Sequence, residues 1–236
     1  MLIFPRYARY VLAALLLVLF LLFLASRLAA APTLIDTDEP IDLVDTGRLY
    51  IAGDAGFPQD AQAIPNLLAR LKAADKVNLF GGSYWLYTEL RQSSPVTDWV
   101  LDPNNTLIDR VEARVYAPDG SVQRVLTGYR HDRQYTLHYG KRISLQANIE
   151  YRVLIKFSSP YFASSPRFEV CSEASYRAKV SRDNILIIGC LGAVVSLALF
   201  NLMLFASTRD KSALYYALYL VAFGLGWAFV FHIPVE

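Results

Sequence analysis

The sequence predicts an all-β domain, a jelly roll or β-sandwich lying outside the membrane, followed by a transmembrane α-helical hairpin. Three observations carry this. Apolar residues alternate with polar ones from Gly82 onward, two long uncharged apolar runs follow, and five residues separate those runs. Composition agrees: 54% of the 236 residues are hydrophobic, 19% are charged and the mean hydropathy is +0.29. That is more apolar and less charged than soluble proteins run. Disordered and collagen-like classes are excluded.

The period-two pattern is clearest at Ile149, Tyr151, Val153, Ile155 and Phe157, which alternate with Glu150, Arg152, Leu154, Lys156 and Ser158. Such alternation marks a half-buried strand. Val111 to Ala117 repeats it, and Pro118-Asp119-Gly120-Ser121 reads as a tight turn into Val122–Leu126. Tyr84–Leu90, Tyr135–Tyr139 and Phe168–Cys171 are further expected strands. Before Gly82 the pattern favours one helix, Pro65–Val77, with Leu67, Leu68, Leu71 and Ala74 on one side.

Ile185–Ser207 and Ala213–Phe231 are long enough to span a bilayer. Arg209 and Lys211 in the short loop between them place that loop in the cytoplasm by the positive-inside bias, as Arg6 and Arg9 do for the N-terminus. Residues 1–31 read as a signal peptide or signal anchor, and residues 32–182 as the exported domain. The chain is therefore expected in the bacterial inner membrane with residues 32–182 in the periplasm. Gly189, Gly192 and Ser196 form a small-residue stripe for helix packing, with Asn201 as a polar contact.

The +2 net charge comes from the membrane flanks, and no basic face for nucleic acid follows. Cys171 and Cys190 lie on different sides of the expected membrane boundary, so no disulfide framework is expected. His131, His138 and His232 lack metal-ligand spacing, and no cofactor, metal or catalytic constellation emerges. The chain is read as a non-enzyme.

Aromatic residues are the better lead to a ligand. On Tyr84–Arg91, the residues Trp85, Tyr87, Glu89 and Arg91 share one face, while Tyr84, Leu86, Thr88 and Leu90 share the other. The second set reads as core. The first offers a stacking platform for a glycan or small polar molecule, with Tyr129 and Arg133 as additional candidates. The alternative is that Trp85 and Tyr87 cover the sandwich.

Ser83–Leu90, the Pro118-Asp119-Gly120 hairpin and the strand Ile149–Phe157 resemble the type 2 extracellular domain of bacterial seven-transmembrane receptors with diverse intracellular signalling modules (7TM-DISM). Phe200–Phe205, Arg209–Ser212 and Leu214–Tyr219 resemble the first two helices and first inner loop of that membrane region. Together the resemblance covers about residues 40–232. It implies a periplasmic jelly-roll sensor, similar to carbohydrate-binding modules, coupled through helices to cytoplasmic output. With two crossings instead of seven, the chain is expected to lack its own output module and to work with a second copy or a partner membrane signalling protein. The competing expectation is a membrane-tethered carbohydrate-binding or envelope-structural module without a signalling role.

Overall fold

The structure, a computed structural model, describes residues 33–35, 40–53, 55–104 and 108–230. The expected leader at 1–31 and the last residue of the expected second span, Phe231, lie outside the described residues.

Among the described residues, eleven strands form two sheets. Sheet A contains β1 (Thr33–Ile35), β3 (Arg48–Ile51), β4 (Lys72–Ala74), β5 (Gly82–Gln92), β7 (Arg110–Tyr116), β8 (Val122–Thr127) and β10 (Glu150–Ser159). Its order is β4-β3-β5-β10-β7-β8, with β1 beside the end of β5. Sheet B is β2 (Ile41–Asp42), β11 (Glu169–Ser172), β6 (Asp98–Asp102) and β9 (Lys141–Ser144), in that order. Every pairing is antiparallel except β1 with β5. Two short helices, α1 (Leu43–Thr46) and α2 (Ile64–Leu68), precede β5, and two long ones, α3 (Glu173–Thr208) and α4 (Lys211–Val230), end the described chain.

The sheets pack face to face as a β-sandwich. Tyr84, Leu86 and Leu90 of β5, Val111, Ala113 and Val115 of β7, and Tyr151, Val153, Ile155 and Phe157 of β10 meet Trp99 and Leu101 of β6, Ile143 of β9 and Val170 of β11. This is the alternating set expected from the sequence, because side chains two apart share a face. At about 25 cal/mol per Å² of apolar area removed from water, this interface is the main stabilising element. The β7–β8 turn is formed as expected: Gly120 has φ +86° and the Ala117 amide donates to Ser121 O at 2.9 Å.

Two local expectations are corrected. The helix read over Pro65–Val77 ends at Leu68, and Lys72–Ala74 forms β4, paired to Leu49–Ile51. Sheet pairing overrides helix propensity there, while Leu67, Leu68 and Leu71 still pack inward as the pattern required. The strand read at Tyr135–Tyr139 is instead a turn, with a single bridge from Tyr135 to His138 and Leu137 at φ +62°. This stretch crosses from sheet A to sheet B, and Tyr135 leaves it to pack on Tyr176.

Each sheet also has a covered outer face. Residues 55–71 lie over sheet A, burying Trp85, Tyr116 and Leu154 under Ile64. The first turns of α3 lie over sheet B, where Tyr176 and Val180 meet Val100, Tyr135 and Cys171. Ser172 caps α3 by accepting from the Ser175 amide at 3.3 Å. The helix then continues without a break to Thr208, so its apolar stretch Ile185–Ser207 is an extension of the part packed on the sandwich.

Candidate functional site

The predicted ligand residues are not brought together. Trp85 is fully buried rather than exposed, at 0%. Phe57 packs edge-on against it at 4.6 Å and the Lys156 ammonium lies 5.0 Å from its ring centroid. The covering segment is fastened by hydrogen bonds to its carbonyls. Tyr116 Oη donates to Pro58 O at 2.8 Å, Lys156 Nζ to Ala55 O at 3.1 Å, Arg114 to Pro58 O at 3.2 Å and Arg152 to Ala61 O at 3.3 Å. The stacking platform at Trp85 is therefore occupied by the protein itself. The physical reason is that a large flat indole between a sheet and a Leu/Ile-rich segment gains more from burial than from water.

Tyr87, on the same face, is half-buried and donates to the Glu89 carboxylate, which also pairs with Arg152 at 3.6 Å. Burial, together with that carboxylate, pushes the Tyr87 phenol above its ordinary range. Arg91 is exposed at the far end of β5, opposite Glu150 of β10. Tyr129 and Arg133 sit elsewhere, in the β8–β9 connection beside the helices. Arg133 donates to Tyr139 Oη at 2.7 Å and stacks on its ring at 4.5 Å, and Tyr129 Oη donates to Phe229 O of α4 at 3.4 Å.

The strand ends define two ends of the sandwich. At the end opposite the one from which α3 leaves the sandwich lies a cavity of about 410 Å³ between the β7–β8 turn and the β9–β10 connection. Asp119, Ser121, Gln123, Ser144, Gln146, Asn148 and Glu150 line it together with Ala117, Pro118, Ile149 and Tyr151. Gln123 fixes its wall, donating to Ser144 O at 2.7 Å and accepting from the Ser144 amide at 2.8 Å. Asp119 accepts from the Ser121 amide at 2.8 Å, and hydrogen bonding to the Ser121 hydroxyl and then to that amide holds its carboxyl below the usual range. Gln146, Asn148 and Glu150 point exposed polar groups at this end. The sequence reading missed these residues. The only available signal was the amide-rich stretch Gln146–Asn148 before β10.

Over sheet B, α3 is held by two charged clusters, one at its first turn and one where it passes the far ends of β6 and β11. Lys179 bridges Asp102 at 3.3 Å and Glu169 at 2.9 Å. Burial pushes the Asp102 carboxyl above its ordinary value despite Lys179. Burial opposes the Lys179 charge, but Asp102 and Glu169 outweigh it and hold its pKa above the ordinary value. Glu173 pairs with Arg142 and, at 2.7 Å, with Arg177, and Tyr135 Oη donates to it at 3.3 Å. Burial works against that carboxylate too, yet the two arginines hold it below its usual range. Tyr176 accepts from the Gly140 amide at 3.1 Å, and a Cβ at Gly140 would meet its ring, so only glycine fits under this helix.

In the hairpin, Ala198 of α3 and Ala213, Ala217 and Leu220 of α4 are buried, with Val194 near Gly224. Asn201 lies on this seam and donates to Leu197 O at 2.8 Å. Gly189, Gly192 and Ser196 are on the face turned away from α4, and Ser196 donates to Gly192 O. The small-residue stripe thus does not pack the two helices against each other.

Residues 57–167 match the profile of the 7TMR-DISM extracellular 2 domain, and residues 183–235 match that of the 7TM diverse intracellular signalling region. No curated protein matches the chain at a significant level. Among solved structures, a β-glucosidase from Kluyveromyces marxianus aligns with 64% of this chain at 12% identity and a TM-score of 0.28. A family 35 carbohydrate-binding module from Clostridium thermocellum aligns with 57% of this chain and 98% of its own, at 10% identity and a TM-score of 0.26. The alignment spans 18% of the β-glucosidase, and scores this low carry no argument about function. The two profiles fall on the two parts the structure separates, the sandwich and the apolar hairpin, which sets the protein in the inner membrane with its sandwich in the periplasm. The chain belongs to the 7TM-DISM receptor family as a sensory part, with its type 2 extracellular domain over residues 57–167 and a match to its 7TM region over residues 183–235.

Proposed function

We propose that this sensory part works by binding, without catalysis, a small polyhydroxylated ligand such as a glycan at the end of the sandwich remote from the membrane. Occupancy is passed to the membrane region through α3. The unbroken run of α3 from Glu173 to Thr208 carries this reading. Its first turns are clamped to sheet B by two charged clusters and its remainder is apolar, so a tilt of the sandwich moves the span with it. A helix interrupted at the membrane surface would leave the two parts uncoupled.

The ligand class follows from the lining of the remote cavity. About 410 Å³ suits a small sugar, and the lining combines carboxylates, amides and hydroxyls with no cationic side chain. Such groups accept from and donate to hydroxyls, whereas the lining itself offers an anionic ligand two carboxylates, Asp119 and Glu150, and no cation. Helices supplied by a second copy or by a partner signalling protein would receive the movement at the outward faces of the hairpin.

The test uses the full chain in nanodiscs and calorimetric titration with neutral mono- and oligosaccharides. We expect binding by at least one of them, weakened at least about tenfold (about 1.4 kcal/mol) when Asn148→Ala is combined with Glu150→Gln. Binding should be indifferent to Tyr87→Phe. Failure of every neutral sugar, or binding insensitive to the double substitution, removes the ligand reading.

A further inference from the structure

The sandwich exposes an apolar foot at the end from which α3 leaves. Phe80 is 93% exposed, Tyr161 55% and Leu79 46%. Leu79 and Phe80 form the tip of the β4–β5 connection, and Tyr161 follows β10. The two loops are joined, since the Phe162 amide donates to Leu79 O at 2.9 Å.

This tip is built rather than loose. The Phe80 amide donates to Asn78 Oδ1 at 3.1 Å and the Gly81 amide to Asn78 O at 3.1 Å. Tyr84 Oη, whose ring packs on Phe157 and Phe162, accepts from the Asn78 amide at 2.9 Å. Gly81 and Gly82 adopt φ +104° and +138°, and a side chain at Gly81 would collide with the Pro160 carbonyl. The backbone is thus committed to a turn that holds a phenyl ring out in water. A lone exposed apolar residue needs no explanation, but three joined ones on a fixed turn do.

The fold shows what lies opposite. Gly82 pairs with Ser159, and because β5 runs into β6 through a short loop at Gln92, the Asp102 and Glu169 ends of β6 and β11, which hold Lys179 of α3, lie at this same end of the sandwich. From Ser172 to Lys179, α3 advances about 10 Å at 1.5 Å per residue. Over that length it passes from the Trp99–Ser172 pair to the Asp102–Glu169 pair, three strand residues and again about 10 Å. The helix therefore runs along the strands, and its apolar stretch begins at Ile185, about one and a half turns beyond the strand ends. The second span returns to the same level, with Phe229 O bonded to Tyr129. Both helices thus place the bilayer boundary at the loops of this end.

We propose that Leu79, Phe80 and Tyr161 form a lipid-contacting foot that rests in the headgroup–acyl boundary of the outer leaflet. Aromatic rings favour that depth, with the phenol of Tyr161 toward water. The foot belongs to sheet A, whereas α3 is packed on sheet B. The sandwich is thereby supported on lipid at one side and on its span at the other, which fixes its tilt. This inference does not depend on the ligand.

The test places a nitroxide on the full chain in nanodiscs by Phe80→Cys, with Cys190→Ala as background. Cys171 is buried and its thiol is pushed up to about 11, mainly by burial, so it stays unlabelled. The comparison site is Leu34→Cys, exposed beside the far end of β5. We expect the ratio of oxygen to nickel-chelate collisions to be several-fold higher at position 80 than at position 34. Tyr161→Cys is an independent probe of the same foot and should give the same rise. Equal ratios at the two ends would overturn the proposal. Shielding from both reagents would overturn it as well, because it would show a protein cover, a second copy or another helix, in place of lipid.

Discussion

The two outer faces of the sandwich are both covered, but by opposite chemistry. Over sheet A, residues 55–71 bring Phe57, Ile64, Leu67, Leu68 and Leu71 onto Trp85 and Leu154. Over sheet B, α3 brings Tyr176 and Val180, and around them Glu173, Arg177 and Lys179 paired with Arg142, Asp102 and Glu169. The apolar part of the first cover is non-directional and gains stability from area, with four hydrogen bonds to the carbonyls of Ala55, Pro58 and Ala61 beside it. Paired charges at a partly buried contact add little net stability, yet they are strongly orienting, because one misplaced partner leaves a desolvated charge. The difference teaches that the first cover completes the domain, while the second sets the angle at which a membrane helix leaves it.

The largest expected effect breaks the apolar side. Trp85→Ala should cost about 3–5 kcal/mol, the usual range for a buried aromatic. Urea unfolding of the full chain in detergent measures it. A cost within the ~0.5 kcal/mol typical of surface positions would mean that the ring is free and the cover separable.

On the polar side, Lys179→Met should cost about 3 kcal/mol, because Asp102 and Glu169 then share a site without a cation. Adding Asp102→Asn should recover most of that loss in the same assay. If Lys179→Met were neutral by itself, the clamp would not be holding α3.

The two clusters should also respond to acid with opposite signs. The folded pKa of Asp102 is raised, so its contribution is fully present below the unfolded value of about 3.9 and is lost as pH rises through the folded value. The folded pKa of Glu173 is lowered, so its contribution is present above about 4.3 and is lost as pH falls through the folded value. Melting temperature followed from neutral pH into acid should therefore fall less steeply with Glu173→Gln and more steeply with Asp102→Asn. Parallel profiles for the two variants would show that they do not titrate as separate clusters.

The smallest effect concerns the end of the second span. Tyr129→Phe removes one 3.4 Å bond to Phe229 O and should change stability by no more than about 0.5 kcal/mol. A larger loss would mean that α4, and not only α3, orients the sandwich.

The core strands were legible in the sequence because a sheet with one face in the core writes period two into its residues. Ile149 to Phe157 and Val111 to Val115 did so, and both are strands of the core. The same rule misled at Trp85. Alternation tells which residues share a face, and Trp85, Tyr87, Glu89 and Arg91 do share one. It does not tell whether chain from elsewhere covers that face, and here residues from Phe57 to Leu71 cover Trp85 but leave Arg91 exposed. Two charged clusters also escaped notice, because Asp102, Glu169 and Lys179 are far apart in sequence and each looks like an ordinary surface charge. The seam with α4 forms through Val194, Ala198 and Asn201, leaving the small residues Gly189, Gly192 and Ser196 on the opposite face.

Sequence by itself determined the division of this protein into an alternating β region and two apolar helices, since hydrophobic period and run length are local properties that water and lipid read directly. Tertiary structure alone decided that Trp85 is sealed, that a cavity with both polar and apolar lining opens at the remote end, that α3 begins on sheet B before it becomes a span, and that Phe80 is held out at the end where α3 leaves. Each of these depends on which distant segment arrives against a given face, and that is set by burial and pairing summed over the whole fold.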